Sequence, residues 1–256
     1  GVTKIRITGG EPLVRNNILQ LFQSLGKLEG LTELVMTTNG SQLDKMAKLL
    51  QEAGVKRLNI SLDSLKHERF QRITRVGPLD KVLRGIEIAI QAGFKRIKLN
   101  TVIIKNRNHD EIIDLVEFAI THSLDISFIE EMPLGEMRER DRAEEFYSRD
   151  QIRHDIEQVF ILNPTTATTG GPSKYYQIAQ THTRVGFISP HTHNFCEACN
   201  RVRLTPDGQL LLCLGQEHSI DLRRVIRAYP GDIVPLKQAI IKAMTLKPKG
   251  HDFELA

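Results

Sequence analysis

Long apolar runs are missing from this sequence. No stretch approaches the roughly 18–20 residues needed by a membrane-spanning helix, which excludes an integral helical membrane protein. A secretory leader is missing too. The chain opens Gly1-Val2-Thr3-Lys4 with neither an initiator Met nor an apolar leader core, and we expect that this is not a natural N-terminus. Cysteine is scarce: three residues in 256 cannot build a disulfide framework, which points to a reducing, cytoplasmic compartment. Charge of one sign is not in large excess, since 35 basic and 31 acidic residues leave +4, and this mixed balance disfavours disorder. Lys and Arg are spread along the chain instead of forming blocks, so no nucleic-acid partner is expected, while the mild basic excess suits an anionic small molecule. There is no internal repeat and no low-complexity segment. What remains is a globular chain with 40% hydrophobic residues, long enough for one α/β barrel or two modest domains.

The first half alternates short β-branched runs with amphipathic helical stretches. The expected strands are Lys4–Thr8, Glu33–Thr38, Arg57–Asp63, Arg96–Ile103 and Asp125–Glu131. Between the first two, Ile18, Leu21, Phe22 and Leu25 mark the apolar stripe of a helix, and Ile112, Leu115, Val116, Ala119 and Ile120 repeat it later. Asn108 with Glu111 reads as an N-cap pair for that later helix. Successive β-then-α units imply a parallel sheet with right-handed crossovers. Farther on, Glu136–Glu145 is a mixed-charge run expected on a solvated face. Ser148 with Gln151 forms a capping box for a helix with Ile152, Ile156, Val159 and Phe160 facing inward. Asn163–Ser173 reads as a linker or long loop. Arg201–Thr205 and Gln209–Leu212 flank a Pro206-Asp207-Gly208 turn, and helices are expected near Ile220–Ala228 and Val234–Met244.

Several strands alternate sharply. Lys4, Arg6 and Thr8 oppose Ile5 and Ile7; Asn59, Ser61 and Asp63 oppose Leu58, Ile60 and Leu62; Lys98 and Asn100 oppose Ile97, Leu99 and Thr101. Strands of a doubly covered parallel sheet are usually apolar on both faces. The pattern fits a barrel interior lined for a polar ligand, and its alternative is a set of strands at a solvated edge. Lys98 needs an explanation in either case, because an inward lysine is costly without an anionic partner.

Cys196, Cys199 and Cys213 are spaced C-x2-C-x13-C around the hairpin. Three thiolates leave one position open on a metal centre, which suits an iron–sulfur cluster. A zinc knuckle completed by His191, His193 or His218 fits the spacing equally well. Arg201 and Arg203 follow at once, placed by the expected strand on one face, and guanidinium forks beside a metal suit an anionic ligand. At the strand ends, Thr8-Gly9-Gly10-Glu11-Pro12, Thr37-Thr38-Asn39-Gly40, Ser61-Leu62-Asp63 and Glu130-Glu131-Met132 gather polar groups where α/β folds bind ligands.

Lys4–Pro12, the Thr37–Gly40 turn, Leu58–Ser64 and the block Arg184–Leu214 resemble the MoaA family. Its members are the GTP 3′,8-cyclases of molybdenum cofactor biosynthesis, radical S-adenosylmethionine enzymes. The resemblance covers nearly the whole chain and implies an α/β fold, an incomplete (β/α) TIM-like barrel with a C-terminal iron–sulfur-binding extension. Residues 1–165 then form a partial radical core, and residues 166–256 an auxiliary 4Fe–4S and GTP-binding region. It implies cluster ligation by Cys196, Cys199 and Cys213, and GTP contacts from Lys4, Arg6, Thr37, Lys98, Arg201, Val202 and Arg203. Gly10, Ser61 and Met132 match contacts to S-adenosylmethionine. The implied reaction starts with hydrogen removal from C3′ of the GTP ribose by a 5′-deoxyadenosyl radical, and the C3′ radical then attacks C8 of guanine. No proton-transferring side chain is assigned. A homodimer is expected, with the product passing to a cyclic pyranopterin monophosphate synthase.

The sequence departs from the family pattern in three places. The family's N-terminal C-x3-C-x2-C motif is absent, so of two clusters in the full-length protein this chain is expected to bind one, and to bind GTP without turnover. The family's C-terminal Gly-Gly tail is absent as well. Ser127 stands where many relatives carry an arginine, which puts one substrate contact in doubt. Two other readings compete: another radical S-adenosylmethionine enzyme with an auxiliary cluster, and a zinc-stabilised binding module without catalysis.

Overall fold

A computed structural model describes residues 1–74, 77–132, 145–193, 196, 199–214 and 218–250. The expected charged run at 136–145 therefore lies outside the described residues except for Glu145. The chain divides into two compact units, Gly1–Glu131 with Arg138–Ser189, and Met132–Met137 with Pro190–Ala256.

The first unit is built on β1 (Lys4–Ile7), β2 (Glu33–Thr38), β3 (Val55–Ser61), β4 (Arg96–Ile103), β5 (Asp125–Glu130), β6 (Leu162–Pro164), β7 (Lys174–Ile178) and β8 (Arg184–Ile188). They form one sheet in the order β1-β2-β3-β4-β5-β8-β7-β6. β1 to β5 and β8 run parallel, and β7 and β6 close the far edge antiparallel. This is the parallel sheet expected from the β/α rhythm and the incomplete barrel that the family resemblance implies, and the five early strands lie within two residues of their expected bounds at each end. β7 and β8 carry no clean alternation in the sequence and were not anticipated.

Helices α1 (Ile18–Gly26), α2 (Leu43–Glu52), α3 (His67–Thr74), α4 (Leu79–Gln91), α5 (Ile112–Thr121) and α6 (Arg149–Glu157) complete the first unit. Their buried stripes follow the helical period: Leu43, Ala47 and Leu50 on α2, Val82, Ile86 and Ala89 on α4, and Ile112, Leu115, Val116 and Ala119 on α5. These residues join Leu34, Met36, Leu58, Ile60, Leu99 and Ile126 of the strands in one apolar cluster. Gly85 lets α4 come close, since a Cβ there would sit 2.8 Å from the Gly40 carbonyl oxygen. The Ser148–Gln151 capping box is present, and Ile152 and Ile156 are buried. Val159 lies past the end of α6 and is 56% exposed, because the helix stops at Glu157 before the stripe reaches it.

Asn108 and Glu111 do not form the expected cap pair, for Asn108 makes no side-chain cap bond. Its Oδ1 accepts the Ile104 N–H while its Nδ2 donates to the carbonyls of Asp63 and Val102. Glu111 is fully buried and accepts from the Ser64 hydroxyl, the Leu65 N–H and Arg69. Both side chains serve tertiary contacts to the β3 end, which satisfy buried polar groups that local capping would leave unpaired.

The second unit contains β9 (Arg203–Leu204), β10 (Gln209–Leu211) and β11 (Ser219–Asp221) in an antiparallel sheet, with α7 (Leu222–Ala228) and α8 (Ile233–Thr245). The Pro206-Asp207-Gly208 turn closes the β9–β10 hairpin as expected, with Gly208 at φ 89° and its N–H bonded to Thr205 O. Strand pairing is shorter than the sequence suggested. Arg201 precedes β9, so only Arg203 of the two arginines lies within the strand.

Candidate functional site

Register across the first sheet explains what the alternation meant. Arg57 pairs with Arg96, Asn59 with Thr37 and Lys98, and Ser61 with Asn100. Lys98 pairs with Asp125, Asn100 with Ser127, and Ser127 with Gly186. Side chains two residues apart share a face, so these positions, with Lys4 and Arg6, make one polar face. The opposite face lies under the helices. Lys98 is only 9% exposed, which places it inside and not at a solvated edge.

At the N-terminal ends of the strands this face is strongly cationic. Lys4 pairs with Glu33 (2.8 Å), and Arg57 reaches the same carboxylate (2.6 Å). Both cations also donate to the carbonyl oxygen of Thr169. Arg6 donates to the Thr37 hydroxyl (3.0 Å), joining two residues proposed from the sequence. A narrow cleft is lined by Arg6, Arg57, Asn59, Arg96, Lys98, Asp125 and Thr169. Arg184 grips Asp125 by donating from Nε to Oδ1 and from Nη2 to Oδ2, with Arg96 at 4.0 Å. Six basic side chains, Lys4, Arg6, Arg57, Arg96, Lys98 and Arg184, thus face two acids, Glu33 and Asp125. Such an excess of basic groups on one face favours a polyanion.

Lys98 has a partner that the sequence did not suggest. Its Nζ donates to the Tyr175 hydroxyl at 3.2 Å and lies 5.6 Å from the ring centroid. Burial lowers the Lys98 ammonium from its ordinary value, and Tyr175 works against that shift. Burial raises the Tyr175 phenol, but the Lys98 charge and the hydroxyls of Thr169 and Ser173 outweigh it and leave the phenol below its ordinary value. Ser127 is fully buried and shares a hydrogen bond with Ser173 (3.0 Å).

The C-terminal ends of the strands have another chemistry. Glu11 ties β1 to β2, accepting the Thr38 hydroxyl on both carboxylate oxygens, the Asn39 N–H (2.6 Å) and the Leu13 N–H (3.0 Å). In Gly-Gly-Glu-Pro the glutamate is therefore a structural clamp. Gly9 adopts φ 144°, which suits only glycine, whereas a Cβ on Gly10 would meet nothing within 4 Å. Packing does not demand glycine at position 10, and the open space before it can admit a ligand. Ser61 ends β3. Met132 follows β5 and belongs to the second unit. Asp63, beyond Ser61, accepts the Val102 N–H, and burial pushes its carboxyl up to about 6.

In the second unit, Cys196 and Cys199 share one turn, closed by the Cys199 N–H on the Cys196 carbonyl (2.9 Å), and Cys213 follows β10. All three are half-buried and none forms a disulfide. Burial raises the Cys199 thiol, but the Arg201 backbone N–H and guanidinium, with the Lys247 charge, bring it below the ordinary thiol value. Lys247 was missed by sequence reasoning. Its Nζ donates to Leu212 O (2.9 Å) and lies 4.0 Å from Cys199 Sγ. Burial and the Arg201 guanidinium lower Arg203, and the sulfurs of Cys199 and Cys213 pull it the other way. Val202 is 37% exposed.

Among the described residues, no three His, Cys, Asp or Glu side chains gather closely enough to hold a metal ion. Three half-buried sulfurs among basic side chains fit an anionic iron–sulfur group.

Comparison with known proteins agrees with this geometry. Residues 1–119 match the Radical SAM superfamily model, the class to which the incomplete parallel barrel points, and residues 124–253 match Molybdenum Cofactor Synthesis C. Streptococcus suis SuiB, solved bound to S-adenosylmethionine, shares the fold at a TM-score of 0.63 and 17% identity, over 94% of this chain and 57% of SuiB. The GTP 3′,8-cyclase of Saccharophagus degradans is 53% identical over 100% of this chain and 77% of its own length. Those of Ectopseudomonas mendocina and Pseudomonas syringae pv. syringae are 57% and 58% identical, over 99% of this chain and 76% of each relative. The chain belongs to the GTP 3′,8-cyclase family. No described helix is long and apolar enough to cross a membrane.

Proposed function

We propose that the protein cyclises GTP to 3′,8-cyclo-7,8-dihydroguanosine 5′-triphosphate in a radical S-adenosylmethionine reaction, the first step of molybdenum cofactor biosynthesis. The observation that carries this reading is identity above 50% to GTP 3′,8-cyclases along the full chain. The cationic end of the first sheet supports it independently.

In this reading Lys4, Arg6, Thr37, Lys98, Arg201, the Val202 backbone and Arg203 contact the nucleotide. Lysines and arginines hold the triphosphate, a polyanion matched by the excess of basic groups. Gly10, Ser61 and Met132 contact S-adenosylmethionine, with Gly10 leaving the backbone open to close approach. Cys196, Cys199 and Cys213 hold one 4Fe–4S cluster of the two expected in the full-length protein, and Arg201 and Lys247 offset the charge of its thiolates. When bound, S-adenosylmethionine and the radical-generating cluster supply the 5′-deoxyadenosyl radical that removes hydrogen from C3′ of the ribose. The protein's own part is orientation of the ribose and base, and exclusion of water from the reacting atoms. The working protein is a cytoplasmic homodimer that hands its product to a cyclic pyranopterin monophosphate synthase.

The test is a double variant of the full-length protein, Arg201→Ala with Arg203→Ala, assayed for iron, sulfide, GTP binding and turnover. We expect iron and sulfide at wild-type levels and turnover reduced by a factor of at least ~100, as expected when groups that position a substrate are lost. Wild-type-like turnover overturns the arginine assignment. Zinc in place of iron and sulfide in the purified wild-type protein overturns the enzyme reading altogether.

A further inference from the structure

We propose that Tyr175 is a positioning residue for Lys98, its hydroxyl holding the buried ammonium at the cationic end of the sheet so that it is presented to the nucleotide's phosphates. The inference rests on the reading that Lys98 contacts GTP.

A buried lysine usually takes a carboxylate as its partner, which neutralises it. Here the nearest carboxylate by register is Asp125, and it is occupied: Arg184 holds it through two bonds and Arg96 stands at 4.0 Å. The acceptor for Lys98 is instead the Tyr175 hydroxyl, at 3.2 Å. A phenol accepts a hydrogen bond and offers its ring face without cancelling the cation, so the charge stays available to an arriving anion. Two cations lie over the ring, Arg184 at 5.2 Å from its centroid and Lys98 at 5.6 Å.

Tyr175 is itself held in place. It is 4% exposed, and the Thr169 hydroxyl lies 3.3 Å from its own. Its ring is admitted by a patch of small residues. A Cβ on Gly186 would lie 2.8 Å from Tyr175 Cε1, 2.6 Å from Ser127 Oγ and 2.2 Å from Ser173 Oγ. A side chain at position 186 therefore cannot be accommodated without displacing Tyr175 and the two serines.

The experiment measures GTP and guanosine binding by calorimetry in the full-length protein, its Tyr175→Phe and Lys98→Met variants, and the double variant. Phenylalanine keeps the ring and removes only the hydroxyl. We expect Tyr175→Phe to weaken GTP by about tenfold, the scale of one hydrogen bond to a charged group. Guanosine, which has no phosphates, should bind as before, and the double variant should bind GTP no more weakly than Lys98→Met alone. Wild-type GTP affinity in Tyr175→Phe, beside weakened binding in Lys98→Met, overturns the positioning role and leaves the Lys98 assignment standing. Equal losses for GTP and guanosine, or additive losses in the double variant, also overturn it, because they mark a merely structural effect. Wild-type affinity in Lys98→Met overturns the Lys98 assignment and this proposal with it.

Discussion

The two units of this chain are stabilised by different means. In the first, a continuous apolar cluster runs from Leu13 to Phe187 and includes fully buried Phe22, Met36, Leu50, Leu58 and Ile86. In the second, the buried apolar residues among those described are Leu210, Leu212, Leu222 and Ala243. Its two helices leave Ile226, Tyr229, Ile233, Val234, Ile241 and Leu246 more than half exposed. The four buried side chains described there, one of them alanine, with Ile220, Leu236 and Ala239 packed partly buried against them, bury little surface to offset the entropy of ordering the unit. Small units of this kind need a covalent or metal staple, and here the staple is the group proposed at Cys196, Cys199 and Cys213. In the proposed reading, substrate binding and structural stability are separable in the first unit and joined in the second.

The comparison breaks most visibly at the cysteines. Cys213→Ser, read by hydrogen exchange, should bring the amides of α7, α8 and β9 to β11 close to the rate of an unfolded chain, with the first unit's protection unchanged. Protection that persists in the second unit would mean that its small core suffices alone. A smaller effect is expected from Asp125→Ala in the first unit. It strands the buried Arg184 guanidinium and should cost about 3–5 kcal/mol in denaturant titration, with the unit still folded. A cost below about 1 kcal/mol would show the pair to be solvated, as surface pairs are.

The smallest effect concerns Asp63. Its folded pKa is raised, from 3.8 to about 6, so its contribution to stability is complete below the ordinary value and is lost as pH rises through about 6. Asp63→Asn keeps an acceptor for the Val102 N–H and removes that loss. The variant should be more stable than the parent by about 3 kcal/mol at about pH 8, with no advantage at about pH 3. Equal urea midpoints at both pH values would show that the carboxyl is not desolvated.

Much of the site could be read before the fold was known. Lys4-Ile5-Arg6-Ile7 alternates so strictly that one face had to be polar, and Lys98 was marked because a buried lysine demands a partner. The partner itself was not readable. Tyr175 lies 77 residues from Lys98 along the chain, in a strand without a clean period, and it arrives only because β7 pairs with β8 and β8 with β5. The same crossing sets Arg184 on Asp125, 59 residues away, and Gly186 beside Ser127. Asn108 and Glu111 mark the converse case. Their spacing has the form of a local cap, but buried groups at the end of β3 claimed both side chains.

The sequence by itself determined the parallel β/α rhythm, the polar face, the cysteine–arginine block and the Pro206-Asp207-Gly208 hairpin, for each depends on residues a few positions apart. Only the tertiary structure decided that Lys98 meets a phenol and not a carboxylate, that Glu11 clamps two strands, and that Lys247 stands beside Cys199. Periodicity tells which way a side chain faces. What it meets there depends on strand order and register, which bring distant segments together to satisfy buried charge.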